Sequence, residues 1–308
     1  PAIPFPFPSM TIFNGLDEME YPMMVNDISS TDPDYTIKLT SHEIFHSYLP
    51  FYMGINETQY AWMDEGFTEL AENYIKNELR KDSIIPGRYI DHPFLSLYDS
   101  YKKVVRMGVE EPLSTHSDHF MTNTAYGMAS YQKGADFLKQ LEYIVGKDVY
   151  EKAMKLYYWE WRFRHPKGKD LLRIFEEESD LVLDWYYEYF IYTTKLIEYS
   201  IKEVTSTDSL TKITLARLGN MPMPLYIEIT YEDGHTSLHT SPLRMMRGSK
   251  HSEGSLDFHV EKDWPWTHPD YSFNIAAAEG KVTTVRIDPS MRLADFQLEN
   301  NKYEVDSN

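Results

Sequence analysis

The sequence predicts an α+β fold, mainly helical over residues 1–200 and built of short strands over residues 201–308. Three observations carry that expectation. Apolar residues recur at helical spacing through the first two-thirds of the chain. After about Ser200 they alternate in short runs bounded by turn residues, as in Leu225-Tyr226-Ile227-Glu228-Ile229-Thr230-Tyr231, which is the pattern of a small β-sandwich. And 308 residues, 42% hydrophobic and 25% charged, are enough for one large core or two ordinary ones.

In chain order, residues 1 to about 30 carry prolines, short apolar runs and Asn14-Gly15, which read as a strand, a turn and a second extended piece at a sheet edge. Asp32 before Pro33 is an N-cap signal. The helix it opens keeps its spacing through Tyr35, Leu39, Phe45 and Leu49, and Pro50 stops it. Further helices are expected at about 60–80, 94–107, 128–145, 148–163, 168–178 and 181–192. Strands follow at 201–204, 212–215, 225–231 and 282–287, with Asp233-Gly234 as a hairpin turn. The polar tail after Asn300 is expected to fray.

Composition removes several functions. Thirty Lys and Arg against 48 Asp and Glu give a charge of −18, which repels a phosphate backbone and argues against nucleic acid as a partner. The acidity reads as a solubilising surface, with attraction of cationic peptides as the alternative. There is no cysteine, so disulfides are excluded and a metal must be held by His, Asp or Glu. No apolar run reaches the roughly 20 residues of a transmembrane segment, and the Pro-rich start lacks the basic and apolar blocks of a signal peptide.

The chemistry concentrates in His42-Glu43-Ile44-Phe45-His46. Histidines at i and i+4 leave one helix face together, so both imidazoles can reach one cation, and Glu43 stands beside it as a base for a water activated there. Chance is a poor account of this motif in a chain with 11 His. A catalytic zinc takes three protein ligands. Glu65, in Trp62-Met63-Asp64-Glu65-Gly66-Phe67 near the start of the next helix, is the candidate third.

The HEIFH motif, followed after eighteen residues by the Glu of WMDEGF, resembles the HExxH–18–E pattern of the gluzincin zinc aminopeptidases, the group of membrane alanyl aminopeptidase and the leukotriene-hydrolase type enzymes. The resemblance implies one Zn²⁺ per chain on His42, His46 and Glu65, with Glu43 as general base. Tyr131-Gln132-Lys133-Gly134 is similar to the segment whose Tyr hydroxyl faces the oxyanion, so Tyr131 is the candidate donor; Tyr126 is a candidate for the same cleft or for core packing. Met19-Glu20-Tyr21-Pro22 resembles the tail of the family's Gly-x-Met-Glu-Asn motif, which makes Glu20 the anchor for a substrate's free α-amine. Asp17, Glu18 and Tyr21 depart from that motif, leaving a surface Glu in an acidic turn as the other reading of Glu20.

By the same resemblance, residues 1–200 look like the helical part of a thermolysin-like catalytic domain, N-terminally incomplete, and 201–308 like the β-sandwich that follows it. The large N-terminal β-domain usual in the family is expected to belong to a longer protein and to be a partner of this chain. Asp64 stands where the family commonly has Asn, and Glu69 reads as a solvated helix residue that could also orient a ligand His. His116, His119, His165, His235, His239, His251 and His259 lack ligand spacing and read as surface or locally hydrogen-bonded. The cluster of Tyr157, Tyr158, Trp159, Trp161, Trp185, Tyr186, Tyr187 and Tyr189 reads as packing rather than carbohydrate stacking. The functional expectation is an aminopeptidase acting on peptides with a free N-terminus. The alternatives are an endopeptidase or epoxide-type hydrolase on the same site, or a non-catalytic binding module of the same fold.

Overall fold

In the computed structural model, which describes residues 3–254 and 257–305, Thr11–Gly15 (β1), Glu18–Tyr21 (β2) and Met24–Ile28 (β3) form a sheet in the order β1-β3-β2. Residues 1–30 therefore hold three strands rather than two extended pieces. β3 runs antiparallel to β2, which sets Glu20 opposite Val25 and on the same face. Val25 is fully buried and Glu20 is 8% exposed, so Glu20 is not a solvated residue of a turn. Asp27, also buried, accepts a hydrogen bond from Thr40 Oγ1 at 2.5 Å and ties β3 to the helix that follows.

That helix, Pro33–Phe45 (α1), starts where the sequence places it: Asp32 Oδ1 accepts from the Asp34 N–H at 3.0 Å and Pro33 takes the first turn. It ends earlier than expected. Pro50 pushes Leu49 into extended backbone (φ −135°, ψ 122°), and residues Ser47–Tyr52 wind as a wider π-helical turn instead. The change of path brings the Leu49 carbonyl back to within 3.0 Å of His46 Nδ1.

The second helix, Glu57–Lys81 (α2), is capped by Asn56, whose side chain accepts from the Gln59 N–H at 3.2 Å. Tyr60 breaks the helical dihedrals, so the regular run begins at Ala61 and buries Trp62, Met63 and Phe67. Leu95–Met107 (α3), Asn123–Gly127 (α4), Gly134–Val145 (α5), Lys147–Trp161 (α6), Gly168–Ser179 (α7) and Asp184–Tyr192 (α8) follow. The helix expected at 128–145 differs in one respect: it is entered through α4, capped by Thr122, and Met128–Lys133 is π-helical. Such widened turns recur at functional sites, because the extra residue re-aims the side chains on that turn.

Chain contacts divide the protein into two units, Pro1–Leu141 with Tyr150–Phe175 and Phe190–Thr194, and Glu142–Val149 with Glu176–Tyr189 and Lys195–Asn308. In the first, Trp62 packs edge-on against Phe137 at 5.0 Å, Phe137 against Phe190 at 5.6 Å, and Phe67 lies against the fully buried Tyr157 at 6.2 Å. α2 and α5 meet through two glycines. A Cβ on Gly66 would stand 2.6 Å from the carbonyl carbon of Gly134, and one on Gly134 would stand 2.9 Å from the Gly66 Cα. Backbone cannot yield as a side chain does, so Gly66→Ala is expected to destabilise the protein by about 1–3 kcal/mol. An unchanged denaturant midpoint in that variant would show that the helices are not in contact there.

In the second unit, Leu225–Tyr231 (β6) and Thr236–Ser241 (β7) form the hairpin predicted from Asp233-Gly234, with Gly234 at φ +88°. They join a five-stranded sheet with Phe258–Val260 (β8), Val282–Ile287 (β10) and Lys302–Glu304 (β11), ordered β11-β10-β6-β7-β8. Tyr199–Ser206 (β4), Leu210–Arg217 (β5) and Asp270–Ala276 (β9) make the second sheet, ordered β4-β5-β9. Period-two burial decides the face of each strand: Tyr271, Phe273 and Ile275 are buried on β9 while their neighbours are exposed. The tail does not fray at Asn300. Residues 302–304 pair with β10, because the ladder recovers the backbone hydrogen bonds that a free tail would leave to water, and 306–308 lie outside the described residues. The aromatic cluster is packing as expected: Tyr157, Tyr158, Trp185, Tyr186 and Tyr187 are buried, although Trp159 is exposed. The architecture is α+β.

Candidate metal centre

α1 delivers the two histidines of the motif, with ring centroids 4.9 Å apart, and α2 delivers Glu65 to them. Glu65 Oε2 lies 3.2 Å from His42 Nε2 and 3.6 Å from His46 Nε2, and one ligand atom from each of the three residues falls within 4.8 Å of the others. The far ring nitrogens are held as well. His42 Nδ1 lies 3.2 Å from Glu72 Oε2, and His46 Nδ1 lies 2.7 Å from Asp64 Oδ1. Carboxylates accept only, so each Nδ1 donates to the carboxylate behind it, and in the neutral imidazoles that a metal requires the Nε2 atoms beside Glu65 are the ones left to ligate.

The electrostatics follow from three carboxylates, Glu65, Glu72 and Asp64, and two imidazoles largely out of water. Burial disfavours charge on His42, yet its hydrogen bonds to Glu65 and Glu72 prevail and raise it to about 9. Burial likewise opposes charge on Glu65, and the hydrogen bonds to His42 and His46 override it, holding the carboxyl down at about 2. The site therefore draws positive charge between three donors. Two imidazoles and one carboxylate form an all-N/O set that suits zinc, with each imidazole oriented by a carboxylate behind it.

Glu43 lies next to His42 and is 4% exposed. Its Oε2 has no hydrogen-bond partner among the described residues. Burial pushes its carboxyl up to about 7, the Glu20 and Glu65 carboxylates adding to the rise while His42 and His46 oppose it. A carboxylate poised there can take and return a proton near neutrality. Ligand atoms of Glu20, Glu43 and His46 also fall within 4.8 Å of one another, so β2 brings Glu20 to the edge of this site. Tyr131 stacks on His42 at 5.8 Å and donates its hydroxyl to Glu65 Oε1 at 2.7 Å. Tyr126 is half-buried in the same field, its hydroxyl pushed up by burial and then by the Glu65 and Asp64 carboxylates.

All six residues singled out from the sequence meet here: Glu20, His42, Glu43, His46, Glu65 and Tyr131. Such an arrangement suits hydrolysis at a metal. A family model described as the peptidase family M1 domain matches residues 12–190, more than half of the sequence. The chain belongs to that family. Among relatives of this M1 chain, aminopeptidase M1-C of Oryza sativa subsp. japonica is 24% identical over 151 residues, covering 47% of the chain and 17% of the rice protein. Aminopeptidase Q of Felis catus is 25% identical over 169 residues, covering 53% and 16%. The chain thus spans about a sixth of the length of these curated relatives. Among solved structures, Legionella pneumophila aminopeptidase A in complex with aspartic acid matches 92% of the M1 chain and 30% of its own length, with a TM-score of 0.53 at 12% identity, a likeness of fold.

Two residues of the site were missed in the sequence, and one was misread. Glu72, behind His42, follows Glu65 by seven positions, two turns on the same face of α2, and that spacing was the available signal. Asp64, behind His46, was noted only as a departure from a family pattern. Glu69 is not solvated: it is 5% exposed and accepts from Gln132 Nε2 at 3.4 Å, because α2 is covered where the residue points. Of the other histidines, His239 is buried between Glu261 and Ser237, at 2.8 and 2.9 Å, and so hydrogen-bonded locally as expected. No helix among the described residues is long and apolar enough to cross a membrane.

Proposed function

We propose that the chain is the metal-bearing part of a zinc aminopeptidase, holding one zinc ion per chain on His42, His46 and Glu65 and removing residues from peptides with a free N-terminus. The observation that carries this reading is the convergence of those three ligand atoms within 4.8 Å beside the partnerless Glu43 Oε2. Bound there, zinc supplies a Lewis acid that polarises a carbonyl and acidifies a water. Glu43 accepts the proton of the attacking water and passes it to the leaving amine. The Tyr131 hydroxyl donates to the oxygen that gains charge as the carbonyl carbon becomes tetrahedral. Glu20 takes the substrate ammonium in a charge-assisted hydrogen bond, which measures one residue from the N-terminus to the bond that is cut. The reading divides the chain into a catalytic domain, 1–200, and a β-sandwich domain, 201–308, with every proposed site residue in the first.

The test is one peptide in two forms, free and N-acetylated, incubated with the zinc-loaded chain and followed by mass spectrometry. Stepwise trimming of the free form alone, abolished by a chelator and restored by zinc, is the expected result. Internal cleavage of both forms would replace the aminopeptidase with an endopeptidase on the same residues. Cleavage of neither, with zinc bound, would favour a binding module.

A further inference from the structure

Tyr131 lies on the π-helical turn Met128–Lys133, and the buried Lys133 closes that turn. Two positions along a helix rotate a side chain to the opposite face, so Tyr131 points to the metal centre while Lys133 points away from it. The Lys133 side chain is 2% exposed, pairs with Glu110 and donates to the Thr193 carbonyl at 3.2 Å. The rings of Tyr101 and Phe190 lie 5.7 and 5.8 Å from its ammonium, and the Tyr101 hydroxyl donates to Glu110 Oε1 at 2.8 Å. One ammonium is thereby held by α3, by the loop after α3 and by the end of α8.

An apolar side chain at this depth would bind the same pocket without the cost of stripping water from a charge. What an apolar residue would not do is fix position. A buried ion pair weakens steeply when either partner moves, since no water replaces the lost contact, whereas an apolar side chain slides at little cost. The adjacent Gly134 touches Gly66, the neighbour of Glu65, so backbone blocks translation of the turn; against rotation it has the long Gln132–Glu69 bond, 3.4 Å, and the buried charge-assisted contacts of Lys133. On the opposite face the Tyr131 hydroxyl donates its one proton to Glu65 Oε1 at 2.7 Å, and must be held so that it can turn that proton from the carboxylate to a reacting oxygen beside it.

We propose that Lys133, through its buried pair with Glu110, is a positioning residue that sets the rotation of the 128–133 turn and so aims the Tyr131 hydroxyl at the reacting oxygen. The proposal rests on the reading of Tyr131 as oxyanion donor.

Lys133→Met alone would strand the Glu110 carboxylate, so the test uses Lys133→Met/Glu110→Gln, which removes both charges at similar volume. The pair is compared with Tyr131→Phe and with all three changes together, in the zinc-loaded chain. The charge-free pair should lose about 10- to 100-fold in kcat with KM and zinc content unchanged. In the Tyr131→Phe background the same pair should cost less than about twofold, because the hydroxyl it aims is gone. An equal loss in both backgrounds, or none in either, overturns the proposal. Glu110→Gln alone is the second variant should the pair fail to fold, and the same comparison applies to it. Full kcat in Tyr131→Phe would instead sink the oxyanion reading. The position of the ring is then decided without activity, by the ¹³Cζ-tyrosine NMR signal that Tyr131→Phe removes. That signal should shift in the charge-free pair, and a signal that stays in place overturns the positioning role.

Discussion

Glu43→Gln is expected to keep the zinc and lose the reaction, lowering kcat by about 10²–10⁴-fold. The substitution is isosteric, and Glu43 Oε2 has no hydrogen-bond partner to lose among the described residues. Burial is the first cause of its raised carboxyl pKa, about 7, so the site already resists a negative charge there, and a neutral amide lowers that cost. The melting temperature should therefore hold or rise, which separates lost chemistry from lost structure. His42, His46 and Glu65 are untouched, and bound zinc, measured by atomic absorption, should remain at one ion per chain. An amide cannot accept the water's proton, so the loss falls on kcat and much less on KM. Near-normal kcat in this variant would remove Glu43 from the base role. Loss of zinc along with kcat would mean that the carboxylate is needed to hold the metal.

How far the site was legible depended on whether its signal was local. His42, Glu43 and His46 lie within one and a half helical turns, and their spacing alone fixes that the two histidines share a face with Glu43 beside it. Glu65 and Tyr131 come from distant segments, and no periodicity joins them; Glu65 enters as the third ligand that the HExxH motif requires and Tyr131 through a resemblance, and the structure shows the contact between Gly66 and Gly134 that brings their helices together. Glu72 and Glu69 show the opposite failure. Both sit on an acidic helix where charge normally means solvent; the seven-residue step from Glu65 puts Glu72 on the ligand's face, but no spacing within α2 tells that Glu69 is covered. The fold follows the same rule. Helices and strands with strong periods were placed within a few residues, whereas the early end of α1 was set by Pro50 acting through Leu49, and the pairing of residues 302–304 by the β10 edge. The last two are effects of one segment on another, which a window along the chain does not contain.

Glu20 offers the other large effect, because the proposed anchoring of the α-amine makes it the residue that selects substrates. Replacing it with Gln should reduce kcat/KM on peptides with a free N-terminus by about 2–5 kcal/mol of transition-state binding, roughly 30-fold to several-thousand-fold, the usual cost of breaking one side of a buried charge pair. The residue is 8% exposed on β2, opposite Val25 and with a carboxylate oxygen near those of the exposed Glu57 and the buried Asp64, so an ammonium arriving there meets three acidic groups. Its neighbours Asp17, Glu18 and Tyr21 differ from the family motif, but Asp17 and Glu18 are exposed and Tyr21 is 42% exposed, and the strand still turns Glu20 inward. Tyr21 thus falls on the face opposite that of Glu20, while Glu18, two positions before Glu20, shares the Glu20 face at the exposed start of the strand. N-acetylated peptides have no ammonium, so their slow turnover should be the same in wild type and Glu20→Gln, and the ratio between free and blocked substrate should collapse in the variant. That ratio is insensitive to a general loss of folded protein, which would lower both rates together. If the variant keeps the wild-type preference for the free amine, the discrimination lies elsewhere, and Glu57, at the start of α2, is the next carboxylate to remove.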